Sequence, residues 1–170
     1  MGSHAARRLQ SFDYRGFHCY SVTCCTFQRH AWFTAANVVD MATCQLLRSA
    51  DDTAFAVDAY CWMPDHAHLL LEAMSSVSDF CRLMNTWKQA TGYAHMRTTG
   101  RRLWQTGYYD HILRADEDRL RVIEYLIANP VRAGLVTEVG NYPFWGSGVW
   151  SREQLIEAIQ ERGREMGREG

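Results

Sequence analysis

The apolar residues of this chain fall into short runs that predict alternating strands and helices. Three runs are rich in aromatic, β-branched and other apolar residues, which is typical of buried strands. These predicted strands cover residues 17–27, 54–63 and 66–73. The last two runs are separated only by the turn-forming pair Pro64-Asp65, which predicts a hairpin. A fourth strand or extended segment is predicted over residues 103–113.

Other segments place apolar residues at the spacing of an amphipathic helix. The predicted helices cover residues 35–48, residues 77–96, and a third stretch that begins at the acidic run 116–118 and ends near Asn129. Thr34 is available as the N-cap of the first helix. Acidic residues favour a helix N-terminus, and Pro130 disfavours helical backbone at the residue before it. Residues 151–154, with the sequence SREQ, have the form of a capping box before a short C-terminal helix.

The order β-α-β-β-α-β followed by helices predicts an α+β fold of the ferredoxin-like or RRM-like kind. In this arrangement helices cover one face of an antiparallel sheet, and we expect the other face to be free for a ligand. A length of 170 residues fits one domain. We expect that domain to span residues 12–150, after a tag remnant and flexible arm at 1–11 and before a C-terminal helix and tail at 151–170.

The composition is that of a globular protein without a membrane span. Apolar residues make up 47% of the chain, but no apolar run is long enough to cross a bilayer. The first four residues, MGSH, are typical of an expression tag, and no apolar signal segment follows them. The six cysteines form no Cys-x-x-Cys pair, which favours free, reduced thiols. These features predict a cytoplasmic protein that is not integral to a membrane.

Positive charge is concentrated in one segment although the net charge of the chain is only −1. Between residues 82 and 114 the only acidic residue is Asp110. The basic residues of this segment are Arg82, Lys88, Arg97, Arg101, Arg102 and Arg114. Guanidinium groups can grip phosphate oxygens bidentately. The segment is therefore a candidate phosphate-facing surface.

Two histidines lie two residues apart on the predicted strand 66–73. Strand alternation sends His66, His68 and Glu72 to the same face of the sheet. Two imidazoles on one face can share a metal ion through neutral nitrogens. The same pair could equally be two polar residues on an exposed strand face, so the pair alone does not decide between these interpretations.

A tyrosine and an asparagine are presented together by the last predicted helix. Tyr125 and Asn129 are four residues apart and lie one above the other at the margin of the apolar stripe. Arg121 lies on the same flank, as does Arg132 if the turn continues past Pro130. A core-boundary tyrosine followed by a helix-ending asparagine is the alternative interpretation of this pattern.

Three motifs together make the chain recognisable between about residues 15 and 150. They are MPDHAHL at residues 63–69, LWQ at 103–105 with YDH at 109–111, and EYLIANPVRAGLV at 124–136. With these motifs the chain resembles the REP-associated tyrosine transposases, which belong to the HUH single-tyrosine transposase group. The resemblance implies that His66 and His68 are metal ligands, that Asn129 is a third ligand and that Tyr125 is the nucleophile.

The same resemblance implies a substrate and a chemistry. We expect cleavage and joining of single-stranded DNA beside a REP-type hairpin, through a 5′-phosphotyrosine intermediate and with Mg²⁺ or Mn²⁺ as the divalent ion. Residues 12–150 would then be the catalytic domain of a bacterial, nucleoid-associated enzyme, either a monomer or a homodimer. The residues expected to contact DNA are Arg82, Lys88, Arg97, Arg101, Arg102, Arg114, Arg121 and Arg132. Trp104, Tyr108 and Tyr109 are candidates for base stacking, and the last two are rival nucleophiles.

Two other functions fit parts of the pattern. An RRM-like sheet bearing aromatic residues can bind nucleic acid without catalysis. A metal-dependent hydrolase could use His66, His68 and Glu72 with water as the nucleophile. A covalent protein–DNA adduct would separate a tyrosine transposase from both alternatives.

Overall fold

The computed structural model describes residues 12–114 and 117–166. The predicted arm at 1–11, Asp116 of the acidic run, and the last four residues of the tail lie outside this range. The strands are β1 (Cys19–Cys25), β2 (Phe55–Met63), β3 (His66–Ala73), β4 (Tyr109–Ile112) and β5 (Trp145–Gly146). The helices are α1 (Ala36–Asp51), α2 (Phe80–Thr99), α3 (Arg119–Ile127), α4 (Asn129–Arg132) and α5 (Arg152–Met166).

The five strands form one antiparallel sheet in the order β4-β1-β3-β2-β5. The first four strands and the helices α1 and α2 follow the predicted β-α-β-β-α-β order, so the ferredoxin-like fold is confirmed. The two-residue turn Pro64-Asp65 joins β2 to β3 and sets Met63 opposite His66. In the same register His66 faces Cys25 of β1, and Glu72 faces Cys19.

The helices α1 and α2 cover one face of the sheet and enclose the larger core. Every second residue of β1 and β3 points into this core, as strand alternation requires. Its fully buried side chains include Tyr20, Leu69, Phe80 and Trp87. Removing such a side chain costs about 3–5 kcal/mol for an aromatic residue and 2–5 kcal/mol for a leucine. This face therefore supplies much of the stability of the domain.

The opposite face of the sheet is covered as well, which differs from the expectation of a face left free for a ligand. Helix α3 and the C-terminal segment pack on it, and Leu70 of β3 is fully buried there. The side chains of this second core are Ala59, Cys61, Met63, Leu70, Ile123, Leu126, Ile127, Tyr142, Trp145 and Leu155. Amphipathic spacing predicts that α3 and α5 bury one side, but it does not specify which face of the sheet receives them.

The helix N-termini show which capping residues local sequence patterns predict correctly. The capping box at the start of α5 is confirmed, because the backbone N–H of Ser151 donates to the Gln154 side chain and the N–H of Gln154 donates to the Ser151 hydroxyl. Asp118 caps α3 by accepting from the N–H of Arg121. The predicted cap Thr34 is wrong, since its hydroxyl donates to the carbonyl of Ala31 and makes no cap contact.

The predicted bounds differ most from the observed ones at α2 and β4. Helix α2 begins at Phe80, after the N-cap Asp79, and ends at Thr99, where the following Gly100 adopts the left-handed conformation (φ 70°). The predicted extended segment 103–113 forms a strand only over β4, and Leu103 and Trp104 before it are buried in the larger core. All six cysteines are free thiols. Within the described ranges no helix is both long and apolar enough to cross a membrane.

Candidate active site

The two histidines of β3 project from the sheet face on which α3 packs. Ala67 between them is fully buried in the larger core, so the imidazoles of His66 and His68 point together to the other side. Leu70 continues the same row of side chains and is buried against α3. The predicted common direction of the two imidazoles is therefore confirmed.

The imidazoles converge through their Nε2 atoms, which lie 3.1 Å apart. Each Nδ1 atom is turned away to a partner of its own. The Nδ1 of His66 lies 2.6 Å from Oδ1 of Asp65, and the Nδ1 of His68 lies 3.0 Å from the Thr23 hydroxyl. With metal–nitrogen bonds of about 2.1 Å, two ligands at a right angle are about 3.0 Å apart. The pair thus has the spacing and direction of two nitrogens that share one ion.

The charge state of His68 favours this arrangement. Burial lowers the pKa of the His68 imidazole to about 4. The nearby charges of His66, Arg29 and Arg132 act in the same direction. A neutral imidazole at physiological pH retains a lone pair for a metal ion.

Helix α3 carries Tyr125 at its exposed margin. The tyrosine side chain is 58% exposed, whereas Ile123, Leu126 and Ile127 of the same helix are buried against the sheet. Tyr125 also lines a groove of about 420 Å³ with Arg121, one helical turn before it. The phenol is therefore accessible and lies on the helix that packs over the histidine face.

Asn129 stands at the junction of α3 and the short helix α4. Its side-chain nitrogen donates to the carbonyls of Tyr125 and Leu126, at 3.2 and 3.0 Å. These bonds use the amide nitrogen at the end of α3 and leave the amide oxygen available to accept from or coordinate another group. Among the described residues, no three His, Cys, Asp or Glu side chains cluster closely enough to hold a metal ion.

Arg132 contacts the tyrosine, and its charge acts on His68. Its guanidinium carbon lies 4.0 Å from the centre of the Tyr125 ring. Its charge also contributes to the lowered pKa of His68, so it acts on both groups. The prediction that Arg132 lies on the same flank as Tyr125 depended on the helical turn continuing past Pro130. The turn does continue, as helix α4.

Glu72 is held away from the histidine pair, which argues against the hydrolase alternative. It shares their sheet face but lies four residues beyond His68, about 13 Å along the strand. Both of its carboxylate oxygens accept from Arg119, each at 2.6 Å. Sequence alternation alone could not reveal this ion pair, because Arg119 is 47 residues away.

The basic residues predicted to contact DNA are spread over several surfaces. Helix α2, which carries Arg82, Lys88 and Arg97, packs on the sheet face opposite the histidines. Lys88 donates to the carbonyls of Gln105 and Gly107, so part of its hydrogen-bonding capacity serves the loop before β4. Burial lowers the pKa of Lys88.

The remaining basic residues lie at both ends of the sheet. Arg101 and Arg102 line a pocket of about 270 Å³ with Phe27, and residue 27 follows the strand end that faces His66. Arg114 lies at the other end, where it lines a separate cavity with Arg119. Trp104 is only 5% exposed and so cannot stack on a base in this conformation, whereas Tyr109 is 46% exposed.

Comparison with known proteins places this site in a family. The sequence profile described as "Transposase IS200 like" matches residues 17–129, which include both histidines, Tyr125 and Asn129. The chain belongs to the IS200-like transposase family.

Two curated relatives confirm the resemblance to REP-associated tyrosine transposases. The chain is 28% identical over 106 residues to the REP-associated tyrosine transposase of Escherichia coli K12, covering 59% of this chain and 62% of the relative. It is 27% identical over 108 residues to the putative REP-associated tyrosine transposase of Haemophilus influenzae, covering 53% of this chain and 57% of the relative. The matched part thus spans about three fifths of the length of these relatives.

Solved structures of transposases share the fold. A REP-associated tyrosine transposase bound to a REP hairpin superposes with a TM-score of 0.67 at 20% identity, over 82% of this chain and 81% of that one. A putative transposase from Deinococcus radiodurans gives a TM-score of 0.51 at 20% identity, over 70% and 94% of the two chains. These similarities agree with the ferredoxin-like sheet described above.

Sequence reasoning missed the residues that support the histidines. The turn pattern accounts for Asp65 only as a turn residue, although its position next to His66 is a signal for the contact that the structure shows. Thr23 contacts His68 from β1, and Arg29 reaches Asp65 from the short 3₁₀ turn after β1. Nothing in the linear pattern connects these residues to the histidines, because strand pairing brings them together.

Proposed function

We propose that this chain is a single-stranded DNA transposase that cleaves and joins DNA beside REP-type hairpins, with Tyr125 as the nucleophile. The observation that carries the proposal is that Arg132 contacts the Tyr125 ring and that its charge also helps to lower the pKa of His68, one of the two convergent imidazoles. In this proposal the accessible phenol, the guanidinium of Arg132 and the two convergent imidazoles all act on the same phosphate. The family membership and the relatives agree with this chemistry.

The donor set fits a divalent ion. Two Nε2 atoms at 3.1 Å have the separation that one shared ion needs, and the amide oxygen of Asn129 is the proposed third ligand. When bound there, Mg²⁺ or Mn²⁺ supplies positive charge to the non-bridging oxygens of the scissile phosphate. Imidazole suits several divalent metals, so the donors do not choose between the two ions.

The residues of the chain perform the remaining tasks. The Tyr125 hydroxyl oxygen forms a bond to phosphorus, and the bond from phosphorus to the 3′-oxygen of the preceding nucleotide breaks. The phenol gives up its proton and the 3′-oxygen gains one, which leaves a 5′-phosphotyrosine and a free 3′-hydroxyl. Arg132 stabilises the negative charge that develops on the phosphate beside the tyrosine. Joining reverses these steps with the 3′-hydroxyl of another strand and needs neither water nor ATP.

The proposed partner is DNA with a hairpin next to a single-stranded segment. Arg121 and Arg132 flank the tyrosine and can contact phosphates there. Arg97, Arg101 and Arg102 carry positive charge from the end of α2 into the following loop, towards the end of the sheet where the histidines lie. The more distant Arg82 and Arg114 would contact only DNA that extends to the far end of the sheet.

A non-catalytic RRM-like binder is a poorer explanation of this geometry. RRM modules bind RNA on an exposed sheet face that carries aromatic residues. Here α3 and the C-terminal segment bury that face around Leu70 and Cys61. The exposed functional group is instead Tyr125 on α3, and the partly buried imidazoles lie at the start of β3.

The test is incubation of the protein with a labelled hairpin oligonucleotide and Mn²⁺, followed by denaturing electrophoresis. We expect a labelled band that resists SDS and is lost on protease treatment. Because a binding protein or a hydrolase forms no covalent bond to DNA, cleavage or retention of the oligonucleotide without such a band would contradict the proposal.

A further inference from the structure

The first histidine, His66, is contacted by a carboxylate, and that carboxylate is contacted in turn by a guanidinium. Asp65, in the turn before β3, uses Oδ1 to contact Nδ1 of His66 at 2.6 Å. Its second oxygen, Oδ2, lies 2.7 Å from Nε of Arg29. Asp65 therefore bridges Arg29 and His66 with one oxygen on each.

The backbone around Arg29 is built to hold this bridge. Gln28 and Arg29 both adopt left-handed backbone conformations, with φ of 55° and 56°, which cost free energy for residues other than glycine. The N–H and hydroxyl of Thr26 both donate to the carbonyl of Asp65 at 2.9 Å, so the turn after β1 is fastened to the turn before β3. A second nitrogen of Arg29 donates to the sulfur of Cys25.

We infer that Asp65, held by Arg29, is a positioning residue that fixes His66 as the Nδ1–H tautomer and so reserves its Nε2 lone pair for the metal ion. A carboxylate only accepts hydrogen bonds, and a contact of 2.6 Å to Nδ1 therefore places the hydrogen on that nitrogen. Carboxylate partners of this kind orient metal-bound imidazoles and make them more basic. The inference rests on the proposed function for the identity of the ligand.

His68 has a partner of a different kind. The hydroxyl of Thr23 can donate to Nδ1 or accept from it, so it accommodates either tautomer of His68. When both rings are neutral, the 3.1 Å contact between the Nε2 atoms needs one hydrogen, and His66 already has its hydrogen on Nδ1. His68 then supplies it. His66 is thus the fixed ligand of the pair, and His68 is the one whose proton moves to Nδ1 when an ion binds.

The first arm of the test measures Mn²⁺ affinity by electron paramagnetic resonance. Asp65→Ala should raise the Kd about tenfold to a hundredfold, the usual loss for an outer carboxylate, and Asp65→Asn should lie between this variant and the parent. Arg29→Gln should weaken binding and Arg29→Lys should restore it. Glu117→Gln is the matched control, because Glu117 also pairs with an imidazole, that of His111 at 2.9 Å. That control should bind Mn²⁺ as the parent does.

The second arm determines the tautomer of His66 by ¹⁵N NMR without metal, which separates this inference from the proposed function. We expect Nδ1–H in the parent and a shift towards Nε2–H in Asp65→Ala. An Nε2–H tautomer in the parent overturns the inference, as does an Asp65→Ala variant that binds Mn²⁺ within about twofold of the parent when His66→Ala does not bind. Equal Mn²⁺ binding by His66→Ala and the parent would instead defeat the metal proposal, and the tautomer alone would then decide the role of Asp65.

Discussion

The guanidinium carbon of Arg132 lies 4.0 Å from the centre of the Tyr125 ring. A cation at this distance interacts favourably with the face of the ring. The contact holds Arg132 on the tyrosine flank of the helix pair, where its charge also reaches His68. The residue thus contacts the proposed nucleophile and acts electrostatically on one of the proposed metal ligands, His68.

Replacing Arg132 should slow cleavage more than it weakens DNA binding. We expect Arg132→Gln to lower the rate of hairpin cleavage about 10²–10³-fold, since a positioned charge beside the reacting phosphate is removed. Arg132→Lys should recover part of the rate. Single-turnover cleavage of a labelled oligonucleotide measures the effect. The control is Arg48→Gln, in the last turn of α1 on the opposite face of the sheet, and an equal loss in both variants would contradict the role of Arg132.

Tyr125→Phe should abolish cleavage and leave hairpin binding nearly unchanged. The change removes only the hydroxyl oxygen that bonds to phosphorus, and the 58% exposed ring packs little against the core. Tyr109→Phe is the matched control, because Tyr109 is also exposed and was the rival nucleophile. Cleavage assays and gel-shift titrations of both variants provide the comparison. Full cleavage by Tyr125→Phe would move the nucleophile elsewhere.

His68 should make the fold less stable as the pH falls. Burial lowers its pKa to about 4 in the folded chain, below the usual value of about 6.5 in an unfolded chain. Unfolding therefore takes up a proton between these values, and the contribution of His68 is lost as the pH falls through that window. Urea unfolding at pH 7 and pH 5 should show a smaller loss for His68→Gln than for the parent. His30→Gln, which removes an exposed histidine, controls for the loss of an imidazole, and identical losses in all three proteins would refute the prediction.

Asp58 should make the fold less stable as the pH rises, which is the opposite of the effect of His68, over a similar pH range. It is 1% exposed, and its Oδ2 lies 3.5 Å from Arg119 and has no hydrogen-bond partner among the described residues. Burial raises its pKa to about 6, although Arg119 counteracts this and Glu72 adds to it. Its protonated form thus fits the fold better, and stability is lost as the pH rises from about 4 through about 6.

The variant Asp58→Asn tests this effect because it keeps the size of the side chain and removes the charge. Arg119 retains its paired bonds to Glu72 in the variant. We expect Asp58→Asn to unfold at a higher temperature than the parent at pH 7.5, with the difference shrinking towards pH 4. Thermal unfolding followed by circular dichroism would detect this, and a variant less stable than the parent at pH 7.5 would show the prediction to be wrong.

The sequence predicted the parts of the site that depend on local periodicity. Alternation along β3 placed His66 and His68 on one face, and helical spacing placed Tyr125 one turn before Asn129. Both relations hold because a strand and a helix fix the directions of near neighbours. The succession of the first four strands and of α1 and α2 along the chain was predicted in the same way, from the pattern of the apolar runs.

The rest of the site depends on contacts between distant parts of the chain. Arg29 and Asp65 are 36 positions apart and meet only because β1 pairs with β3. The covering of the second sheet face depends on where α3 and α5 dock, which amphipathic spacing leaves open. The spread of basic residues over one face and both ends of the sheet likewise could not follow from their clustering between residues 82 and 114.

The most direct test of the account is mass spectrometry of the protein after reaction with a hairpin oligonucleotide, nuclease trimming and proteolysis. The account predicts a nucleotide attached to the peptide that contains Tyr125, formed only when divalent ion is present and absent in His66→Ala. A nucleotide on Tyr109 or another residue, or a Tyr125 adduct that forms equally well in EDTA, would contradict it.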